Sequence, residues 1–296
     1  MNHQMNHKFN VLHKFNGHLG PIYSIQIFNN KLLSVSSDRT LKIWNILNQK
    51  IEKSFTLDSL AYSIYLDQNK NILLGLNNGT ILVIKKNYLT QTIKTNESIA
   101  FFSFSENKSD FEIFAGSSNG KLFILNAKDY SIKKNINLNC GKIRKQFILK
   151  NHIYLACQNG FIYKLNFKTK EIENFIQQHE DGVNSICIDT DDQNILYSGG
   201  KDALLKVFNL SLNHTNKIIP AHNYAIYDII QLNKSIILSC SRDKTIKVWD
   251  KKNMSVISRL DHNSNGHKHS VNNIIKYKND MFFSCSDDGT IILWKC

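Results

Sequence analysis

Apolar and polar positions along this chain follow one pattern seven times: an apolar pair, a small residue, a polar turn, then alternating apolar residues ending in Trp or a substitute. The segments read LLSVSSDRTLKIW, ILLGLNNGTILVI, EIFAGSSNGKLFIL, IYLACQNGFIYKL, ILYSGGKDALLKVF, IILSCSRDKTIKVW and MFFSCSDDGTIILW. Alternation with a period of two marks strands. The pairs Asn78-Gly79, Asn119-Gly120, Asn159-Gly160 and Asp288-Gly289 tolerate the positive φ of a tight turn, so each segment predicts a β-hairpin. The last apolar anchors, Trp44, Ile84, Leu125, Leu165, Phe208, Trp249 and Trp294, are 40, 41, 40, 43, 41 and 45 residues apart. Such a period indicates an array of repeated sheets. Nine residues before each anchor stands a small or slender residue (Val35, Gly75, Gly116, Ala156, Gly199, Cys240, Cys285), as sheets that approach closely around an axis require.

With these segments on the page the chain resembles the WD-repeat (WD40) family over nearly its whole length. Gly17-His18 and Gly266-His267 match the family's GH pair, Ala221-His222 and Gln178-His179 are variants, and Trp249-Asp250 is a literal WD. The resemblance implies an all-β fold: a seven-bladed β-propeller of four-stranded antiparallel blades. It also implies a tetrad of side chains in each complete blade: His18, Ser34, Asp38 and Trp44; His222, Ser239, Asp243 and Trp249; His267, Ser284, Asp288 and Trp294. Blade 5 keeps His179, Ser198 and Asp202 but ends in Phe208, which has no indole N–H, so its network should be incomplete. Blades 2 to 4 carry Asn78, Asn119 and Asn159 at the Asp position and Leu74, Ala115 and Leu155 at the Ser position, and no GH histidine precedes them. Replacing the set together avoids stranding a buried polar partner, and apolar packing is the expectation there.

Cys296 falls just after the third strand of blade 7, while residues 9–15, FNVLHKF, look like a strand ahead of the first GH. The resemblance implies that this segment completes blade 7 and closes the ring. The expected organisation is a flexible tail, residues 1–8, and a single propeller domain, residues 9–296.

Composition adds little to the fold and something to function. A hydrophobic fraction of 42% with 21% charged residues excludes a disordered chain. No run of 18 apolar residues and no signal-peptide pattern occurs, so a cytoplasmic protein with no membrane partner is expected. The six cysteines form no CxxC pair and read as reduced core thiols. The net charge of +13 suits an acidic partner, although a chain so rich in Asn, Lys and Ile is also what an AT-rich genome encodes. Residues 106–170 hold 12 Lys or Arg against 4 Asp or Glu; a run of acids from Glu171 to Asp192 follows.

Catalytic and metal readings find little support. The tetrad accounts for His18, His179, His222 and His267, and the turns account for Asp38, Asp202, Asp243 and Asp288. Asp261, His262, His267 and His269 offer a metal two or three imidazoles only if His267 leaves its tetrad, and Met1-Asn2-His3 is a possible chelating terminus. GSSNGK at 116–121 lacks the spacing and the hydroxyl of a phosphate loop, and neither GxSxG nor HExxH occurs. No enzyme, no metal and no cofactor are expected.

Resemblance to the family implies binding on the face around the narrow channel opening. Two sets of positions point there. One precedes the turn Asp: Ser37, Asn77, Ser118, Gln158, Lys201, Arg242 and Asp287. The other lies just inside the first strand: Tyr23, Tyr62, Ala100, Arg144, Asn184, Tyr227 and Asn272. The expected site is Tyr23, Tyr62, Arg144, Lys201, Tyr227, Arg242 and Asp287, a mixture that suits an acidic or phosphorylated peptide or protein segment. The expected protein is a non-catalytic interaction scaffold, a monomeric propeller within a larger complex. The alternatives are a nucleic-acid-associated protein using the basic stretch 106–170 and, last, a propeller enzyme.

Overall fold

A computed structural model describes residues 9–296; the proposed tail 1–8 and the Met1-Asn2-His3 terminus lie outside the described residues. Seven four-stranded antiparallel sheets make up the described chain, and its one helical element is a single 3-10 turn, His262–Ser264. In blade 1 the strands run Ile22–Phe28, Lys31–Ser36, Thr40–Asn45 and Ile51–Thr56, from the channel to the rim. The inner strands of blades 2 to 7 are Ala61–Leu66, Phe101–Asn107, Ile143–Leu149, Val183–Ile188, Ile226–Gln231 and Val271–Lys278. Each packs beside the inner strands of the two neighbouring blades, and that of blade 7 returns to that of blade 1. The seven sheets therefore form a closed ring.

Closure comes from the strand Asn10–Asn16, which pairs antiparallel with Thr290–Lys295 in the order expected for the missing outer strand of blade 7. Side chains reinforce the pairing. Phe15 is buried against Trp44 of blade 1 and Phe283 of blade 7, with ring centroids 5.7 and 5.9 Å away, and Phe9 packs on Phe282 at 6.0 Å.

Apolar clusters fill the seams between adjacent blades, made of alternate residues from the second and third strands of one blade and the inner strand of the next. The small residues sit where blades touch: a Cβ on Gly75 would come within 2.6 Å of the Phe101 carbonyl oxygen of blade 3. In blades 2 to 4, Leu74, Ala115 and Leu155 are fully buried in these clusters, so apolar packing does replace the polar tetrad. At the surface of blade 3 a different polar group forms, in which Glu97 accepts from Asn119 and pairs with Lys121 at 2.6 Å.

The turn after the second strand takes a left-handed residue in every blade. Blades 2 and 4 use Gly79 and Gly160, where a Cβ would overlap the carbonyl oxygens of Glu97 and His179 at 1.8 and 1.9 Å. Blades 1, 5 and 6 place Arg39, Ala203 and Lys244 at φ of 57, 65 and 72°, a conformation an L residue adopts at some cost. In blades 1 and 6 the tetrad Asp braces the turn by accepting the hydroxyl and the amide N–H of Thr40 or Thr245. Among the described residues no helix is long and apolar enough to cross a membrane.

Candidate functional site

The tetrads decide which polar groups are available for binding. In blade 1 the Trp44 indole N–H donates to Ser34 Oγ at 2.8 Å, Ser34 Oγ meets His18 Nε2 at 2.7 Å, and His18 Nδ1 meets Asp38 Oδ2 at 2.8 Å. One neutral tautomer satisfies every link: indole N–H to hydroxyl oxygen, hydroxyl O–H to Nε2, and Nδ1–H to carboxylate. Blades 6 and 7 repeat the chain through Trp249, Ser239, His222 and Asp243 and through Trp294, Ser284, His267 and Asp288. Thr40, Thr245 and Thr290 add a fifth member, each donating to its tetrad Asp; the spacing Asp-x-Thr would have revealed them.

Blade 5 has His179 bonded to Asp202 at 2.9 Å and to Ser198 at 3.0 Å, with Phe208 in the indole's place. No indole N–H donates to Ser198 Oγ, and its other neighbour, Gln178 Oε1 at 3.4 Å, is itself an acceptor, so this network is incomplete as expected. Burial lowers the pKa of His18 and His222, and their carboxylate partners offset that only in part. Burial would raise the Asp38 carboxyl, but donation from Thr40, the Leu19 amide and His18 outweighs it and holds the group at about 2.

With both ring nitrogens bonded, His18, His179, His222 and His267 offer no free imidazole. Asp261 caps the 3-10 turn by accepting from the Asn263 amide. Among the described residues no group of three or more His, Cys, Asp or Glu could hold a metal.

What remains open to solvent is the channel, a cavity of about 580 Å³ lined by the inner strands. Each inner strand has a register shift between its first and second paired residues, and the residue skipped is Tyr23, Tyr62, Phe102, Arg144, Asn184, Tyr227 or Asn272. A bulge leaves one residue outside the ladder and re-aims its side chain. All seven line the channel, one from each blade, at the end where the turns of Lys201, Arg242 and Asp287 also lie. The structure thus places Tyr23, Tyr62, Arg144, Tyr227 and Asp287 together in one mouth. Lys201 and Arg242 stand at its lip, exposed in their turns and outside the cavity wall.

One assignment needs correcting. Ala100 was expected as the blade 3 position, but Phe102 holds it. Blade 3, like blades 2 and 4, has no GH histidine to set the register, and its bulged residue lies two positions beyond Ala100, 17 before Asn119 where blades 2 and 4 have 16 and 15. The strand's third position would have served instead, since Ser24, Ser63, Ser103 and Ser185 recur there.

The mouth is not uniform. Tyr23, Tyr62 and Phe102 form a continuous arc across blades 1 to 3, with centroids 5.0 Å apart at both steps. Lys142 lies over Phe102 at 5.3 Å, and Arg144 follows on blade 4. Burial pulls down the pKa of both cations, and the guanidinium of Arg144 adds to the effect on Lys142. Neither has a carboxylate within ion-pair distance among the described residues. Asn184 and Asn272 point their amides at the Ile226 and Ile22 carbonyls and so serve to tie blades together. Deeper in the channel, Asp228 accepts from Lys145 at 2.9 Å, Ser185 at 2.8 Å and Asn273 at 2.6 Å, joining four blades.

The basic stretch 106–170 is dispersed by the fold. Lys121, Lys133, Lys145, Lys164 and Lys170 are in ion pairs with Glu97, Glu112, Asp228 and Glu173. Lys142 and Arg144 face the mouth, whereas Lys108, Lys128, Lys150 and Lys168 lie in turns at the opposite end.

Comparison with known proteins agrees with this division of blades. The family model described as WD domain, G-beta repeat matches residues 9–45, 170–209, 213–250 and 258–295, just over half of the chain. The protein belongs to the WD40 family. The matched repeats of this WD40 chain cover blades 1, 5, 6 and 7, the blades with a His-Ser-Asp network. Among curated relatives it is similar to a DDB1- and CUL4-associated factor 11 homolog of Caenorhabditis briggsae, 34% identical over 92 residues, which are 29% of this chain and 17% of that protein. It is also similar to the nuclear distribution protein PAC1 of Candida dubliniensis, 30% identical over 100 residues, 32% of this chain and 20% of the relative. A WD repeat-containing protein 89 homolog of Dictyostelium discoideum is 37% identical over 60 residues, 20% of this chain and 17% of that protein. The matches therefore span a fifth or less of these relatives' own length.

Proposed function

We propose that this WD40 protein is a non-catalytic scaffold that binds an acidic peptide or protein segment at the channel mouth. The observation that carries the reading is the ring of bulges, which turns Tyr23, Tyr62, Phe102, Arg144 and Tyr227 into one opening. Flat aromatic side chains supply contact area at small entropic cost, and Arg144, enclosed but without an anion, gains most from an acidic ligand. The tetrad serines and histidines are buried inside the blades and none lines the channel, so no substrate reaches them, which supports a binding role over catalysis. The names of the relatives, a factor associated with DDB1 and CUL4 and a nuclear distribution protein, also support protein partners. The buried thiols of Cys140, Cys157, Cys240 and Cys285 support a reducing, cytoplasmic setting.

The test is affinity purification of tagged protein at two salt concentrations. A variant with Tyr23, Tyr227 and Arg144 replaced by Ala should keep the wild-type melting temperature and lose the specific partners. Unaltered capture refutes the site. Capture that survives these changes but collapses with added salt or nuclease would instead support the nucleic-acid alternative.

A further inference from the structure

The mouth holds charges of both signs: within its wall Asp287 on blade 7 faces Arg144 on blade 4, with Lys142 beside it over Phe102, while Lys201 and Arg242 stand exposed at the lip of blades 5 and 6. Asp287, in a turn of blade 7, accepts from the Asn272 amide at 2.7 Å and has no cation within ion-pair distance among the described residues. Its carboxylate is close enough to Tyr23 of blade 1 to disfavour ionisation of the phenol, a smaller effect than burial. Blade 4, with Lys142 and Arg144, lies across the channel from this seam. The Tyr23, Tyr62 and Phe102 rings span the interval, starting beside Asp287 and ending beneath Lys142. A wholly acidic segment would satisfy the blade 4 end and set like charges against Asp287. A partly enclosed carboxylate and two partly enclosed cations are complemented only by opposite charges at both ends.

We propose that the mouth recognises a bipolar peptide segment: a Lys or Arg side chain at Asp287 against the Tyr23 ring, and an acidic side chain at Lys142 and Arg144. The residues between lie on Tyr62 and Phe102. The cationic end combines a carboxylate with an aromatic face, a pairing that favours a guanidinium or ammonium over a neutral group. The arrangement also gives the ligand a direction along the arc, which an acidic patch alone would not. This inference rests on the reading of the mouth as a peptide site, and sharpens it by making one base as necessary as the acid.

The experiment measures fluorescence anisotropy of labelled peptides. One set carries a single base and a single acid at varied spacing and in both orders; the others are acidic only, basic only, or neutral. The wild type should prefer one order of the bipolar set by at least about tenfold over acidic peptides of equal length. Asp287→Lys should invert that preference towards acidic peptides, and Arg144→Glu towards basic ones. Asp287→Asn, which keeps an acceptor for Asn272, should level the two sets and serves if the Lys variant fails to fold. Acidic peptides binding as tightly as bipolar ones, with no response to either change at Asp287, would overturn the inference while leaving the peptide site intact. Failure of every peptide to bind would remove both. Selection of the acid as phosphoserine over glutamate, within the bipolar set, would support the proposal and identify the anion.

Discussion

Blades 5 and 6 differ by one donor, and that difference can be measured. Ser239→Ala in blade 6 removes the acceptor of the Trp249 indole N–H, 2.9 Å away, and the partner of His222 Nε2, 2.7 Å away. Both groups are buried, and each stranded polar group costs about 1–3 kcal/mol, so a loss of about 3–4 kcal/mol is expected. Ser198→Ala in blade 5 strands His179 Nε2 and a weak contact to Gln178, but no indole, because Phe208 stands there. Its cost should be smaller by about 1–2 kcal/mol. Urea titration followed by tryptophan fluorescence and circular dichroism reads the difference as a shift of midpoint at constant slope. The sharper comparison is Ser239→Ala combined with Trp249→Phe. If the indole is costly because it is stranded, removing it in the Ser239→Ala background should cost at least about 1 kcal/mol less than removing it from the wild type. Equal losses for the two serine variants, together with strictly additive behaviour of the pair, would refute the account of the tetrad as a chain of obligatory donors.

Other consequences can be checked alongside. Removing residues 1–16 takes away the outer strand of blade 7 with Phe9 and Phe15, so the melting temperature should fall sharply; unchanged cooperative unfolding would show that the ring does not depend on this closure. Stability should fall with acid in two windows. Below about pH 6.5 the unfolded chain protonates the histidines while His18 and His222, with lowered folded pKa values, resist. Below about pH 4 the tetrad carboxylates, whose folded pKa values are depressed, give up their contribution as the pH falls towards 2. Asp38 accounts for about 2 kcal/mol of this before solvent screening and nearer about 1 after it. Denaturation midpoints between pH 8 and pH 3 test the order of the two losses, and a midpoint flat across the upper window would contradict the histidine assignment.

Features set by short-range spacing were legible in the sequence. The hydrogen bonds of a tetrad join residues 10 to 23 positions apart within one blade, and an Asn-Gly turn needs only its own two residues, so blade number and hairpins follow from local pattern. The bulge was harder to see. Tyr23, Tyr62, Arg144 and Tyr227 stand 15 or 16 residues before the Asp or Asn of the following turn and are located by counting, whereas Phe102 stands 17 before Asn119 and falls out of that count. Wholly hidden were the contacts between blades, such as Lys145 to Asp228, 83 positions apart. No periodicity encodes such a pair, because each partner alternates correctly in its own strand and the pairing depends on how the strands are arranged around the ring.

The same separation explains how this propeller can present a varied mouth although its blades are unequal. Blades 1, 5, 6 and 7 stabilise themselves with polar networks, and blades 2 to 4 with Leu74, Ala115 and Leu155 in apolar seams, yet all seven keep the bulge that feeds the mouth. A bulged residue has left the ladder, and Tyr23, Tyr62, Phe102 and Arg144 belong to no apolar seam, so their identity can change with little consequence for the ring; Asn184 and Asn272, bonded to the next blade, and Tyr227, packed on a seam, are more constrained. That freedom lets one turn of the propeller run from Tyr23 through Phe102 to Arg144 and Tyr227, a sequence of unlike chemistries that a repeat under uniform packing constraints could not present. Exchanging Phe102 and Arg144 should therefore leave the melting temperature within a few degrees of the wild type while changing which peptides bind, and a large loss of stability would show that these residues hold the blades as well as the ligand.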